Sequence, residues 1–150
     1  MQPLPMNTLP DPDRHAEFYL GVPTRRALAW VLDSVLTAVL TLLVLPFTAF
    51  TGLFFLAPLY MTLGFFYRWG TMASASATPG MRFSGLVFLD RTGARLDAGS
   101  AFLHTAGYTA SVVFVMPQLI SVVLMLISAR KQGLTDHVLG TVAINRPARN

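Results

Sequence analysis

The sequence has no cysteine among its 150 residues, which excludes disulfides, thiolate metal ligands and cysteine nucleophiles together. The redox compartment is left open. Charge is the second scarcity: Asp, Glu, Lys and Arg make up 12% of the chain, against about 25% in a typical soluble domain. No charged side chain lies between Asp33 and Arg68, nor between Asp97 and Arg130. Stretches of that length belong in lipid and argue against an ordinary cytosolic enzyme. Catalytic patterns are missing as well. There is no Ser-His-Asp set, phosphate-cradling glycine loop or zinc motif, and Gly80, Gly85 and Gly93 lack the spacing of a dinucleotide fingerprint. His15, His104 and His137 do not have metal-ligand spacing. The expectation is a non-enzyme with no cofactor and no metal.

What is present is apolar, with 53% hydrophobic residues. Eleven Lys and Arg against seven Asp and Glu give a net charge of +4. Basic residues beside hydrophobic runs mark cytoplasmic flanks, so no nucleic-acid partner is expected. Segment 1–23 is polar and proline-dotted, without the basic start and apolar core of a signal peptide. It is expected to remain as a cytoplasmic tail. The first apolar run, 27–45, measures about 28 Å at ~1.5 Å per residue, close to a ~30 Å hydrocarbon core. An uncharged linker at 46–52 then predicts an antiparallel return over 53–67, kinked at Pro58. Tyr67, Arg68 and Trp69 suit the point where a helix leaves lipid.

Segment 70–99 carries Arg82, Arg91 and Arg95 and belongs in water or at the headgroups, where with Arg68 it suits anionic lipid. Thr78 is placed to cap a helix beginning at Pro79, with Met81, Phe83 and Leu86 dipping into the interface. Leu86 to Leu89 also reads as a short strand, since Asp90 to Gly93 is a turn sequence leading to Ala94-Arg95-Leu96. The last apolar run, 99–128, is interrupted near Pro117. Unbroken it would be longer than a bilayer requires; broken, it gives one near-full span and a short return. With the break, every basic residue falls on one side, whereas three full crossings put Arg130, Lys131, Arg146 and Arg149 outside. The broken form is preferred. The fold expected is an all-α membrane protein, a small bundle of three to four transmembrane or re-entrant helices with a cytoplasmic interfacial segment. Residues 24–150 form the membrane domain, multi-pass in a bacterial-type inner membrane with the N-terminus cytoplasmic.

Chemistry concentrates in a few side chains. Asp33 lies roughly 10 Å into the first run, where an unpaired carboxylate costs about 2.5–3.5 kcal/mol on insertion scales. It needs a partner. Arg26, seven residues earlier, projects from nearly the same face and can lean toward it. Further along, Thr135 is placed to cap a short helix with Asp136 in its first turn and Gly140 at its end. A sharper reading folds Asp136 and His137 back against the first helix, so that one arginine and two aspartates form a network, with His137 as its proton acceptor. His104 reads as a hydrogen-bonded interior histidine. The phenylalanines Phe47, Phe50, Phe54, Phe55, Phe65 and Phe66 suit lipid, pigment or helix contact equally.

Three motifs in order, Arg26-Ala27-Leu28-Ala29-Trp30-Val31-Leu32-Asp33, Thr78-Pro79-Gly80-Met81-Arg82-Phe83-Ser84-Gly85-Leu86, and Gln132-Gly133-Leu134-Thr135-Asp136 through Gly140-Thr141-Val142, together resemble the RDD family. The resemblance implies a small polytopic membrane protein. It carries the family's arginine and two aspartates onto Arg26, Asp33 and Asp136, and implies transport, with some members linked to sodium/proton antiport. Three places depart from the pattern. Met81 follows Gly80 where members often have lysine, His104 stands near a usual arginine, and Thr135 precedes the second aspartate where a histidine is common. Two functions follow as expectations: cation or proton transport through an Arg-Asp-Asp cluster, or a non-catalytic accessory subunit of a larger membrane complex. Membrane lipids and a homo-oligomer or larger complex are the partners expected.

Overall fold

The structure, a computed structural model, describes residues 8–147. The start of the expected N-terminal tail, residues 1–7, and the flanking Arg149 lie outside them. The first helix, α1, runs Val22–Val44, opening after Gly21 in the left-handed conformation with Pro23 in the first turn. Proline is well placed there, because its missing N–H would have had no partner anyway. α1 turns polar residues inward and apolar ones outward. Asp33, Thr37 and Thr41, spaced four apart, are buried, while Leu28, Val31, Val35, Val39 and Leu42 are exposed. A water-soluble helix does the reverse; the inverted pattern is the one that an apolar surrounding such as lipid favours. The helical stretch Ala16–Thr48 is long and apolar enough to cross a membrane.

Two short 3-10 turns, Leu45–Thr48 and Thr51–Phe55, reverse the chain into α2, Leu56–Ala75. Pro58 does not kink α2. It lies in the first turn, where no intrahelical hydrogen bond is lost to it. α2 continues past Tyr67 to a left-handed C-cap at Ser76, so Arg68 sits inside a helix and not at its exit. Thr78 caps the short helix α3, Pro79–Phe83, by accepting from the Met81 N–H at 3.2 Å.

The chain is not all-α. Leu86–Leu89 is a strand, β1, paired antiparallel with β2, Val142–Asn145. Of the two readings for this segment, the strand is the observed one. Leu86 and Phe88 face the helices beside Val22, Ala29, Met72 and Met81. Val87 and Leu89 face the other way, against Phe18, Tyr19, Val142 and Ile144. With both faces covered, four consecutive apolar residues are satisfied at once. The second face is covered by chain that the sequence reads as a polar tail: Phe18 is fully buried and Tyr19 donates to the Pro10 carbonyl at 2.7 Å. After β1, Asp90 accepts from Thr92 and Ala94 to close the turn, with Gly93 at φ +82°.

α4, Ala98–Val113, packs along α2. Asp97 caps it by accepting from the Ser100 N–H at 2.6 Å. The break falls at Val115, in a positive-φ conformation (φ +41°), and α5, Met116–Ile127, leaves at 115° to α4 with Pro117 in its first turn. Taken together, this bent pair also passes the length and hydropathy of a membrane span; α1 and this pair are the two such segments among the described residues. α6, Leu134–Leu139, follows, ends at Gly140 in the left-handed conformation, and hands the chain to β2.

Candidate functional site

Asp33 is buried in the middle of the molecule because α1 turns its polar stripe toward α2 and α3. Its carboxylate accepts from the Tyr67 hydroxyl at 2.7 Å, the Gly80 N–H at 2.9 Å and the Thr78 hydroxyl. The Arg68 guanidinium stands 4.0 Å away. Close approach of α3 to α1 is what makes the Gly80 bond possible. A Cβ at Gly80 would lie 2.4 Å from the Ala29 carbonyl oxygen and 2.8 Å from Asp33 Oδ1, so this position admits only glycine.

Asp136 anchors a second cluster. It lies in the first turn of α6 and reaches back to the Gly133 N–H at 2.9 Å, half of a capping box whose other half glycine cannot supply. Arg26 donates to its Oδ2, while His104 Nε2 and the Thr141 hydroxyl meet Oδ1 at 2.8 and 3.2 Å. All four acceptor positions of the carboxylate are thereby used. Burial alone pushes the Asp136 carboxyl up, but the Arg26 guanidinium and then His104 outweigh it and hold the group well below the ordinary carboxylate value. Phe88 ties the cluster to the sheet, with its ring 5.2 Å from the Arg26 guanidinium and in edge contact with His104 at 4.5 Å.

Both clusters open onto one cavity of about 650 Å³. Arg26, Asp33, Arg68, His104 and Asp136 line its polar side, and Trp30, Met81, Val122, Met125 and Leu126 its apolar side. Arg68 is buried, 9% exposed in its side chain, and stacks on Tyr108 with 3.9 Å to the ring centroid. A smaller cavity of about 80 Å³ lies on the far side of Arg68, against Thr37, Tyr60 and Gly64.

Several expected site residues are thus placed differently. Arg26 and Asp33 share a helix, but no hydrogen bond or ion pair joins them; Arg26 turns to Asp136, and Asp33 finds its partners on α2 and α3. The single network resolves into two clusters around one cavity. His137 is exposed, with Nδ1 2.9 Å from the Gly133 carbonyl, so it is outside both clusters. His104 holds the place beside Asp136 instead. Thr135 does not cap α6; Gly133 occupies the N-cap position, and Thr135 packs on Gly107. Arg82, Arg91 and Arg95 are exposed, whereas Arg68 is interior. Sequence reasoning missed Tyr67, Thr78, Gly80, Gly133 and Thr141 as ligands of the acids. Four of these five lie inside the quoted motifs, which was the available signal; Tyr67 gave none beyond its adjacency to Arg68. Among the described residues, no group of three or more His, Asp or Glu side chains is gathered as metal ligands would be.

Comparison with known proteins bears on residues 20–140, which match a family model described as the RDD family. No curated protein and no solved structure matches the chain.

Proposed function

The chain belongs to the RDD family, and from that premise we propose that it is a multi-pass inner-membrane protein moving a cation or proton through the cavity between its two acid clusters. One observation carries the reading: Asp33 and the Arg26–Asp136 pair, far apart in sequence, line the same cavity. The division of labour follows from their partners. Asp136 has every acceptor position filled and a guanidinium in contact, so it serves as a fixed counter-ion that holds Arg26 in place. Asp33 is the working group. Two of its three donors are hydroxyls, which can rotate between donating and accepting, and the one cation within ion-pair reach among the described residues, Arg68, stands off at 4.0 Å. The working unit in this reading is a homo-oligomer or a larger complex. No catalytic step or cofactor is part of this proposal.

The test is flux in proteoliposomes under a sodium or pH gradient, comparing the purified protein with Asp33→Asn. Gradient-driven flux that disappears in the variant is the expected result; equal flux in both, or none in either, rejects the reading.

A second reading, a non-catalytic accessory subunit, is favoured by one feature. The turn joining α1 to α2 leaves Phe47 and Phe54 90% and 85% exposed, an aromatic surface suited to a neighbouring helix as well as to lipid. Migration in mild detergent at the mass of a single chain, with no co-purifying protein, would remove its support.

A further inference from the structure

The cavity's polar groups are unequal in what they leave unfilled. The acceptors are nearly filled: Asp136 receives four hydrogen bonds and Asp33 three of the four a carboxylate can accept. The donors are not. No N–H of the Arg68 guanidinium makes a hydrogen bond among the described residues, although the side chain is buried and faces the cavity. Arg26 engages Asp136 through one nitrogen only. The Tyr108 hydroxyl accepts from the Trp30 indole at 2.8 Å and keeps its own proton free. The Ser111 hydroxyl donates its one proton to the Tyr108 carbonyl at 2.8 Å and lies 3.0 Å from the Gln118 side-chain amide, which keeps at least one N–H unused among the described residues. His104 Nδ1, also unpartnered, is the exception, an acceptor when the ring is neutral. A buried guanidinium with unmet donors calls for an oxygen-rich anion, which its planar fork can hold in two bonds.

Most of the remaining wall is apolar, with Thr24, Ser111, Ser121 and Thr135 the further polar side chains on it. Ala27 and Trp30 on α1 face Val122, Met125 and Leu126 on α5, and α5 carries further exposed apolar residues, Leu119, Ile120, Val123 and Ile127, on its outer surface. A ligand entering from lipid therefore meets apolar surface up to the guanidinium. The volume, about 650 Å³, lies within the usual ~300–1,000 Å³ of small-molecule sites.

We infer that the cavity binds an amphipathic anion, a single acyl chain ending in a carboxylate or phosphate, with the oxyanion on Arg68 and the chain between α1 and α5. The inference rests on the same cavity being the working site, but needs no proton transfer at Asp33.

Trp30 lines the cavity and Trp69 does not, so Trp69→Phe leaves a single reporter. In fixed detergent, dibrominated stearic acid should quench Trp30 in a saturable titration, and dibrominated stearyl alcohol should quench it only at concentrations at least tenfold higher. Arg68→Gln should weaken the acid at least tenfold and leave the alcohol unchanged. Ala27→Phe, at an exposed wall position, should weaken the acid without touching the polar clusters. That variant keeps the test decisive if Arg68→Gln does not fold. Competition by unlabelled lysophosphatidic acid, oleic acid and inorganic phosphate separates the sources: displacement by the two acyl compounds supports the inference. Displacement by inorganic phosphate at equal concentration would overturn it, as would identical quenching by acid and alcohol, or wild-type titrations in both cavity variants. Binding is read without a gradient. A protein that binds but moves no ion therefore rejects transport alone, and one that moves ions but binds neither acyl anion rejects this inference alone.

Discussion

Replacing Arg26 by glutamine removes the guanidinium from a carboxylate that is 1% exposed in its side chain. Breaking a buried ion pair from one side destabilises by about 3–5 kcal/mol, because the remaining charge stays desolvated. Arg26 itself is 14% exposed, and His104, Thr141 and the Gly133 N–H remain on Asp136, which argues for the lower end, about 3 kcal/mol. Loss of the contact with Phe88 adds about 0.5–1 kcal/mol. For a chain of this size that is a fall in Tm of roughly 7–16 °C, read by intrinsic fluorescence in one detergent. The sign of the pH effect is also fixed. In the wild type the Asp136 pKa is lowered, so its contribution is fully present above the ordinary carboxylate value of about 3.9 and is lost as pH falls through the folded value. In Arg26→Gln the upward push of burial loses its main opponent, and the carboxyl takes up a proton more readily. The deficit of the variant should therefore shrink as pH falls from 7 toward 4. Adding Asp136→Asn to Arg26→Gln should recover at least about 1 kcal/mol relative to Arg26→Gln alone. A variant within about 0.5 kcal/mol of wild type at pH 7, the range of ordinary surface changes, or a deficit that does not move with pH, would refute the assignment of Arg26 as the counter-ion of Asp136.

Three further outcomes follow from the geometry. Gly80→Ala forces a methyl group to within 2.4 Å of the Ala29 carbonyl and should destabilise by at least about 1–3 kcal/mol, measured by thermal unfolding. His137→Ala, at an exposed position outside both clusters, should stay within about 0.5 kcal/mol of wild type and leave flux unchanged; a large loss of either would restore His137 to the site. Phe88→Ala removes a fully buried ring that contacts Arg26 and His104, and should lower stability by about 3–5 kcal/mol in a denaturant titration.

The sequence is most legible where a local property decides the outcome. The apolar run of α1, the reversal before α2, the break near Pro117, the Thr78 cap and the Gly140 stop each depend on a few adjacent residues, and each is found. What depends on distant segments is not legible. Spacing alone brings Arg26 and Asp33 to one face of α1, but two side chains almost two turns apart compete with partners delivered by other elements. α3 brings an N–H and a hydroxyl to Asp33, and α6 brings a carboxylate to Arg26. The pairing of Leu86–Leu89 with Val142–Asn145 is invisible for the same reason, since nothing near either strand names its partner. Arg68 shows the limit of a positional rule. A cation beside Tyr and Trp reads as an interfacial anchor, yet α2 runs on for two more turns and carries it inside.

The antiparallel clamp between β1 and β2 has a consequence for biogenesis. Translation delivers Arg26 on α1 long before Asp136, and the strand that pins α6 in place comes later still. In the interval a guanidinium is installed beside the bilayer without its counter-ion, and the wall that later encloses it has not been made. A nascent chain stalled before residue 136 thus displays a charge that the finished fold conceals.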